Sequence, residues 1–323
     1  MAKVLVSAMG FQATLWSKGL KMKIKFWGVR GSIPCPGVHT TKYGGNTACI
    51  EIRLEDPDRL IILDAGSGIR ELGNALMARQ GSSSMNIEIF LSHTHWDHIM
   101  GFPFFTPLYI PGTSVKVYGP VSCGVNPLES VVGGQLTYEY FPIRQTELAA
   151  DITYVELKEG RYELGDEVVL NVQYLNHPIL CLGYRLEYQN KVLCTAYDTE
   201  PFKNIFCTDP DNPAYDAQMA LEGEEVARQE NRRVEVFFRN ADLLIHDAQY
   251  TRHEYLSSKI GWGHSSIEHA IETAKKAKVK RLALFHHDPM RTDKEIDDLN
   301  QQLCQKNGAM EIFFAREGLE ISL

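Results

Sequence analysis

Three histidines and an aspartate fall within six consecutive positions, His93-Thr94-His95-Trp96-Asp97-His98. Imidazole and carboxylate both ligate borderline divalent cations, so a cluster this dense points to a metal site. The stretch "NIEIFLSH" (86–93) reads as a strand that ends on the motif. Residues two apart on an extended segment point the same way, so His93 and His95 can chelate one ion. Asp97 and His98 come after the turn, face elsewhere, and suit a second ion nearby. A helical H-E-x-x-H grips one ion from i and i+4; the present spacing argues for two.

A binuclear site needs more ligands from other strand ends. His177 ends a strand in "YLNHPILCLGYR", Asp198 ends another in "CTAYDTE", and His286 ends a third in "LALFHHDP". His287 sits beside His286 and competes for its role. His264 precedes a helix whose Ser265 and Glu268 read as a capping box, placing the helix start at about Ser266. Free amides and the helix dipole favour an anion there, which makes His264 a candidate proton donor to a leaving group. The loop "RGSIPCPGVHTTKYGGNT" (30–47) either lines the pocket or simply connects two elements; Arg30 is its best candidate for a substrate anion. His246 reads as a packed strand residue, and His253 and His269 as ordinary surface or helix residues. The apolar "GFPFFTPLYIPG" (101–112) reads as core rather than pocket wall.

These residues need a frame to bring them together. Short β-rich runs occupy 23–29, 48–54, 59–68, 86–93, "SVKVYGP", 168–177, 182–200 and 241–250, with helices over 69–79 and from 266 onward. Ile267, Ala270, Ile271, Ala274 and Ala277 repeat as one apolar helix face. The order of elements suggests an α/β (α+β) chain of stacked sheets with helices outside. Residues 23–323 read as a single domain, with an acidic, partly helical insertion at about 201–240 that suits a lid, a homodimer contact or a plain surface excursion. Residues 1–22 read as an N-terminal extension or a mis-assigned start, because "MKIKFWGVRGS" from Met22 already resembles a first strand.

Composition narrows the function classes. The 323 residues are 44% hydrophobic and 23% charged, with a net charge of −8. An acidic chain without a basic stripe is a poor non-specific binder of nucleic acid or anionic membrane, although a small polyanion can still fit a local pocket. Seven cysteines without a C-x-x-C argue for reduced thiols and a cytoplasmic location. No apolar run is long enough to span a membrane.

H-x-H-x-D-H followed in order by a His, an Asp and a His resembles the metallo-β-lactamase-fold hydrolases. "DAGSG" (64–68), "NHPILCLGYRLE", "YDTE", "LLIHDAQY", "GHSS" and "LFHHDP" look like segments of the phosphodiesterase branch, which includes tRNase Z, the phosphoribosyl cyclic phosphodiesterase and cyclic-nucleotide phosphodiesterase-like proteins. The resemblance covers roughly residues 23–323. It implies a four-layer αββα sandwich. It assigns His93, His95 and His177 to one metal, Asp97, His98 and His286 to the other, and Asp198 as the bridge. Asp64 becomes a carboxylate that orients a ligand. The ending H-x-x-P selects His286 over His287 as the ligand. Asp247 resembles the carboxylate that pairs with His264 in the tRNase Z branch.

The implied reaction is hydrolysis of a small cyclic or linear phosphodiester by a hydroxide shared between two divalent ions, each of which lowers the pKa of bound water. Ligands without thiolate suit zinc best, with manganese or iron also compatible. Nuclease action of the tRNase Z kind is the alternative, less favoured because no glycine- and proline-rich basic arm is found. Acyl hydrolysis of a lactone or thioester, di-iron redox chemistry on the same fold, and a non-catalytic binding module are the other classes weighed. The complete ligand set argues against the last.

Overall fold

The structure is a computed structural model that describes residues 22–55, 57–121, 127–303 and 310–323. The reading of residues 1–22 as an extension therefore falls, apart from Met22, outside the described residues.

Alternating apolar positions build the first strands: Met22–Gly28 (β1), Cys49–Glu55 (β2), Asp58–Leu63 (β3), Asn86–Phe90 (β4), Ser114–Pro120 (β5) and Asp151–Leu157 (β6). The next group comprises Gly160–Glu163 (β7), Val169–Leu175 (β8), Cys181–Tyr188 (β9), Lys191–Ala196 (β10), Leu243–Asp247 (β11), Arg281–Phe285 (β12) and Glu311–Phe314 (β13). The last strand, Glu320–Ser322 (β14), returns to pair with β1. Two seven-stranded sheets result, in the orders β14-β1-β2-β3-β4-β5-β6 and β13-β12-β11-β10-β9-β8-β7.

The sheets face each other across one core. Phe26, Ile50, Ile52 and Phe90 from the first meet Leu170, Tyr184, Leu186 and Phe285 from the second. Truncating such a residue, Phe26→Ala for instance, costs about 3–5 kcal/mol in typical cores. On the outer face of the first sheet lie Ile69, Leu72 and Leu76 of helix α1 (Gly68–Gln80), together with Phe102, Phe105 and Leu108. The 101–112 stretch is thus largely core, as its composition suggested, with Phe104 left exposed. Against the outer face of the second sheet pack Ile267, Ala270, Ile271 and Ala274, whose helix spans Ile267–Lys276, and Ile296. The chain is therefore the expected four-layer αββα sandwich.

Strand direction decides where the chemistry collects. β3 and β4 run parallel, as do β10, β11 and β12. Their carboxyl ends share one edge of each sheet, and open sheets gather ligands at such ends. Asp64 follows β3, His93 lies shortly after β4, Asp198 follows β10, Asp247 closes β11 and His286 follows β12.

Two local readings change. The helix at 267 is capped by Ser266, whose side chain accepts from the His269 amide. Ser265 instead donates to the Thr199 carbonyl at 2.6 Å, and the Glu268 carboxylate accepts the Arg252 amide at 2.8 Å, so the expected box is not formed. The 201–240 segment runs without helix or strand to Asp216, which caps the long helix Ala217–Phe237 through the amides of Gln218 and Met219. Among the described residues, no helix is long and apolar enough to cross a membrane, and Cys35, Cys49, Cys181, Cys194 and Cys207 are free thiols.

Candidate metal centre

At the sheet edges the predicted ligands converge. Donor atoms of His93, His95, His177 and Asp198 all lie within 4.8 Å of one another, and so do those of Asp97, His98, Asp198 and His286. Asp198 belongs to both groups and its two oxygens divide between them. Oδ2 is 3.4 Å from His93 Nε2 and 3.8 Å from His177 Nε2, whereas Oδ1 is 3.2 Å from both His98 Nε2 and His286 Nε2. Asp97 Oδ2 completes the second group at 3.2 Å from His98 Nε2 and 3.1 Å from His286 Nε2.

The backbone is bent to achieve this. Asp64, Asp198 and His286 have φ of 58°, 24° and 61°, in a region that side chains other than glycine avoid. Each sits where the chain leaves a strand and turns sharply. Such strain costs on the order of 1–3 kcal/mol per residue and persists where the surroundings enforce it. The short helix Trp96–Ile99 turns Asp97 and His98 away from His93 and His95, which divides the motif between the two groups.

The donor set fits divalent cations. His93 Nε2, His98 Nε2 and Asp198 Oδ1 are buried without a hydrogen-bond partner among the described residues. His177 Nε2 and His95 Nδ1 approach to 3.1 Å, so the two ring nitrogens converge. Burial holds His93, His95 and His177 below the usual imidazole range, in the neutral form that ligates. Burial also opposes charge on Asp198, yet His286, His98 and His93 hold its carboxyl well below the usual range. For His98 burial works against protonation, but Asp97, Asp198 and Asp64 together push it well up. Cations would take the place of that proton.

Asp64 lies beside His98, where a carboxylate could orient the imidazole. It is fully buried and its Oδ2 lies 2.8 Å from His98 Nδ1. Ser92 donates to the same carboxylate from its amide and its hydroxyl, at 2.7 and 2.8 Å. His98 is thereby held with Nε2 toward the cluster.

His264 and Asp247 form a second pair, with Nδ1 and Oδ2 2.9 Å apart. Asp247 is fixed in turn by the amides of Thr199, Gln249 and Ser265. The His264 ring stacks on His286 with centroids 5.0 Å apart, and its Nδ1 is 4.0 Å from Asp198 Oδ2. Burial lowers its basicity, but Asp247 and then Asp198 outweigh that and raise it to about 9. Donor atoms of Asp198, Asp247, His264 and His286 also crowd within 4.8 Å. This third group shares Asp198 and His286 with the second, and within it Asp247 also accepts the amides of Thr199, Gln249 and Ser265.

Two candidates lie elsewhere. Arg30 is completely buried and does not face the pocket. Its guanidinium donates to the carbonyls of Gly44, Asp288 and Arg291, so it ties the 30–47 loop to the chain after His286 instead of meeting a substrate anion. His287 is buried too, and its Nε2 lies 2.8 Å from the Ala315 carbonyl. Burial pushes it down to about 3, which keeps it a neutral packing residue. His246 is buried in β11 as expected, with Nδ1 2.7 Å from the Asp247 carbonyl.

Three residues that bear on the site stood in stretches already quoted but were given no role of their own. The Ser32 amide donates to Asp97 Oδ2 at 2.7 Å. A Cβ on Gly31 would meet the His286 ring at 2.4 Å, so only glycine lets that loop close over the ligand. Glu200 accepts from the Tyr255 hydroxyl and the amides of Gly261 and Gly263, and the Gly263 carbonyl in turn lies 2.9 Å from His177 Nδ1. The available signals were the place of Glu200 at the end of "YDTE", two residues after Asp198, and that of Gly31 and Ser32 next to Arg30. Beside His177 opens a cavity of about 500 Å³ lined by Thr94, Val121, Val131, Pro178 and Ile179 among others.

Fold and site together define a metal-dependent hydrolase of the metallo-β-lactamase fold. No family model matches the chain. In sequence it is similar to ribonuclease Z of Enterococcus faecalis, 25% identical over 92% of this chain and 99% of that one. It is also similar to ribonuclease BN of Proteus mirabilis, 27% identical over 66% of this chain and 74% of the other. The fold resembles the metallo-β-lactamase-fold protein YhfI from Bacillus subtilis, with a TM-score of 0.62 at 16% identity over 94% of this chain and all of that one. A diphosphatase from the PhnP family gives 0.60 at 17% identity, covering 94% and 98% of the two chains. The short form of human tRNase Z gives 0.57 at 19% identity, covering 93% and 98%.

Proposed function

We propose that this chain hydrolyses phosphodiester bonds, with two divalent cations held by its donor groups and His264 as the acid for the leaving oxygen. The observation that carries the reading is the His264–Asp247 pair beside Asp198. Acyl transfer to water from a lactone or thioester has less need of a cationic acid fixed at that place.

His93, His95 and His177 would hold one cation, Asp97, His98 and His286 the other, and Asp198 would span both. When bound, such ions supply an activated water and neutralise charge on a phosphate oxygen. The rest is done by side chains. Asp64 and the Ser32 amide fix His98 and Asp97. Asp247 holds the His264 ring by Nδ1 and keeps it protonated, leaving Nε2 free to deliver a proton. The cavity beside His177 offers room for an organic group.

For the substrate, the sequence relatives favour RNA, since they carry the names ribonuclease Z and BN. A small cyclic or linear phosphodiester is the second reading, favoured by the net charge of −8, which gives no basic footprint for a long polyanion. The test is to strip the protein with EDTA, restore zinc or manganese, and assay bis(p-nitrophenyl) phosphate beside a thioester and a lactone. Metal-dependent phosphodiester cleavage is expected; cleavage of the acyl substrates alone would overturn the reading. Pre-tRNA against cyclic nucleotides then separates the two substrates.

A further inference from the structure

The segment before His264 carries groups that the catalytic account leaves unused. Trp262 is 55% exposed, unusual for an indole. The Lys259 ammonium lies over it, 3.7 Å from the ring centroid, and 5.5 Å from the centroid of Tyr250. Tyr250 in turn meets His264 edge-on, with centroids 6.1 Å apart. One aromatic ring thus separates the Lys259 charge from the candidate acid.

The segment is fixed in place. Glu200 accepts from the amides of Gly261 and Gly263 at 3.0 Å each, which bracket Trp262, and from the Tyr255 hydroxyl at 2.9 Å. A π-helical turn over Tyr255–Lys259 sets the direction of Lys259, a geometry often found at functional sites. Gly263 has φ of 81°, and a Cβ there would meet His177 Nδ1 at 2.3 Å, so the chain passes as close to the ligand as glycine allows.

Charge completes the pattern. Two neighbouring arginines are paired, Arg252 with Glu272 at 2.5 Å and Arg291 with Glu254 at 2.8 Å, while Lys203 lies over the Tyr255 ring. Among the described residues no carboxylate pairs with Lys259. In an acidic chain, an uncompensated ammonium at the mouth of a site favours an anion. An indole more than half exposed beside that ammonium is suited to stack on a flat ring, because aromatic side chains stack bases of any sequence.

We propose that Trp262 and Lys259 form a subsite for a nucleotide next to the scissile phosphate, the indole stacking on its base and the ammonium contacting its phosphate. This rests on the phosphodiesterase reading and adds to it a subsite that holds the base and phosphate of one nucleotide. Trp96, which lies between His95 and Asp97 in the chain, is a second exposed indole, 77% exposed.

The test has two arms. In the first, full-length protein held metal-free by EDTA is titrated with a tetra-adenylate RNA while tryptophan fluorescence is read, in a Trp96→Phe background. Quenching that saturates, and that Trp262→Leu removes, is expected; quenching unaffected by Trp262→Leu would overturn the proposal. In the second, metal-loaded enzyme is assayed on a diadenosine phosphodiester and on bis(p-nitrophenyl) phosphate, which has no base. The ratio of kcat/KM for the dinucleotide to that for the aryl ester should fall about tenfold to a hundredfold in Trp262→Leu. Lys259→Glu should lower it similarly, and Lys259→Arg should restore it. An unchanged ratio in both loss variants would overturn the proposal. Failure of the phosphodiesterase reading would show separately, as a wild-type enzyme inert toward both esters, while the metal-free titration needs no catalysis.

Discussion

Two histidine–carboxylate pairs stand within one site, nearly identical in contact and opposite in the use proposed for them. His98 meets Asp64 at 2.8 Å and His264 meets Asp247 at 2.9 Å, each through Nδ1. Both imidazoles are pushed up by the acids around them. What differs is where the second nitrogen points. His98 Nε2 is buried among Asp97 and Asp198 and lacks any other partner, so a cation bound there would take the place of its proton. The His264 side chain is 12% exposed, a solvent opening that His98 lacks, and can keep a proton to give away. The contact alone does not assign the role; what the far nitrogen meets does.

That comparison can be broken from either side. The largest effect is expected from His98→Ala, which should lose the second cation by elemental analysis and lower turnover roughly 10²–10³-fold or more. His264→Ala should retain its metal and lose about 10²–10⁴-fold on a phosphodiester with a poor leaving group, far less on a p-nitrophenolate ester. Asp64→Asn acts only through His98, so cation affinity should fall about 10–100-fold in a metal-binding titration. The smallest effect is in pH dependence. His264 is raised from 6.5 to about 9, so its charged form is present below that range and is lost as pH rises through it. Activity on the poor leaving group should therefore fall on the alkaline side. Bound cations oppose the proton, so they place the limb lower within this window. His264→Ala should lack the limb, and a limb of equal size in the variant would assign it to another group.

Much of this site could be read from the chain. His93, His95, Asp97 and His98 announce themselves by crowding, and His177, Asp198 and His286 by closing β-rich runs, because parallel strands put their carboxyl ends together. The sheets and the 267–276 helix followed from the same periodicity. What could not be read depends on contacts between distant segments. Arg30 looked available because it sits in a polar loop, but the Gly44 carbonyl of that loop and the carbonyls of Asp288 and Arg291, 258 and 261 residues on, enclose it. Gly31 is needed only because the His286 ring lies against it, across 255 residues of chain. Glu200 reads as an ordinary acid until the 255–263 segment folds over it. The cap at Ser266 was missed by one residue because Ser265 turned inward to Thr199.

The central claim is that buried donor groups hold the cations while His264 supplies the proton. It is tested most directly by kcat/KM for aryl phosphodiesters of graded leaving-group pKa, measured on metal-loaded wild type and His264→Ala. A steeper dependence in the variant, converging with wild type at the best leaving group, is the predicted result. Parallel dependences, or cleavage of thioesters and lactones with every phosphodiester untouched, would contradict it.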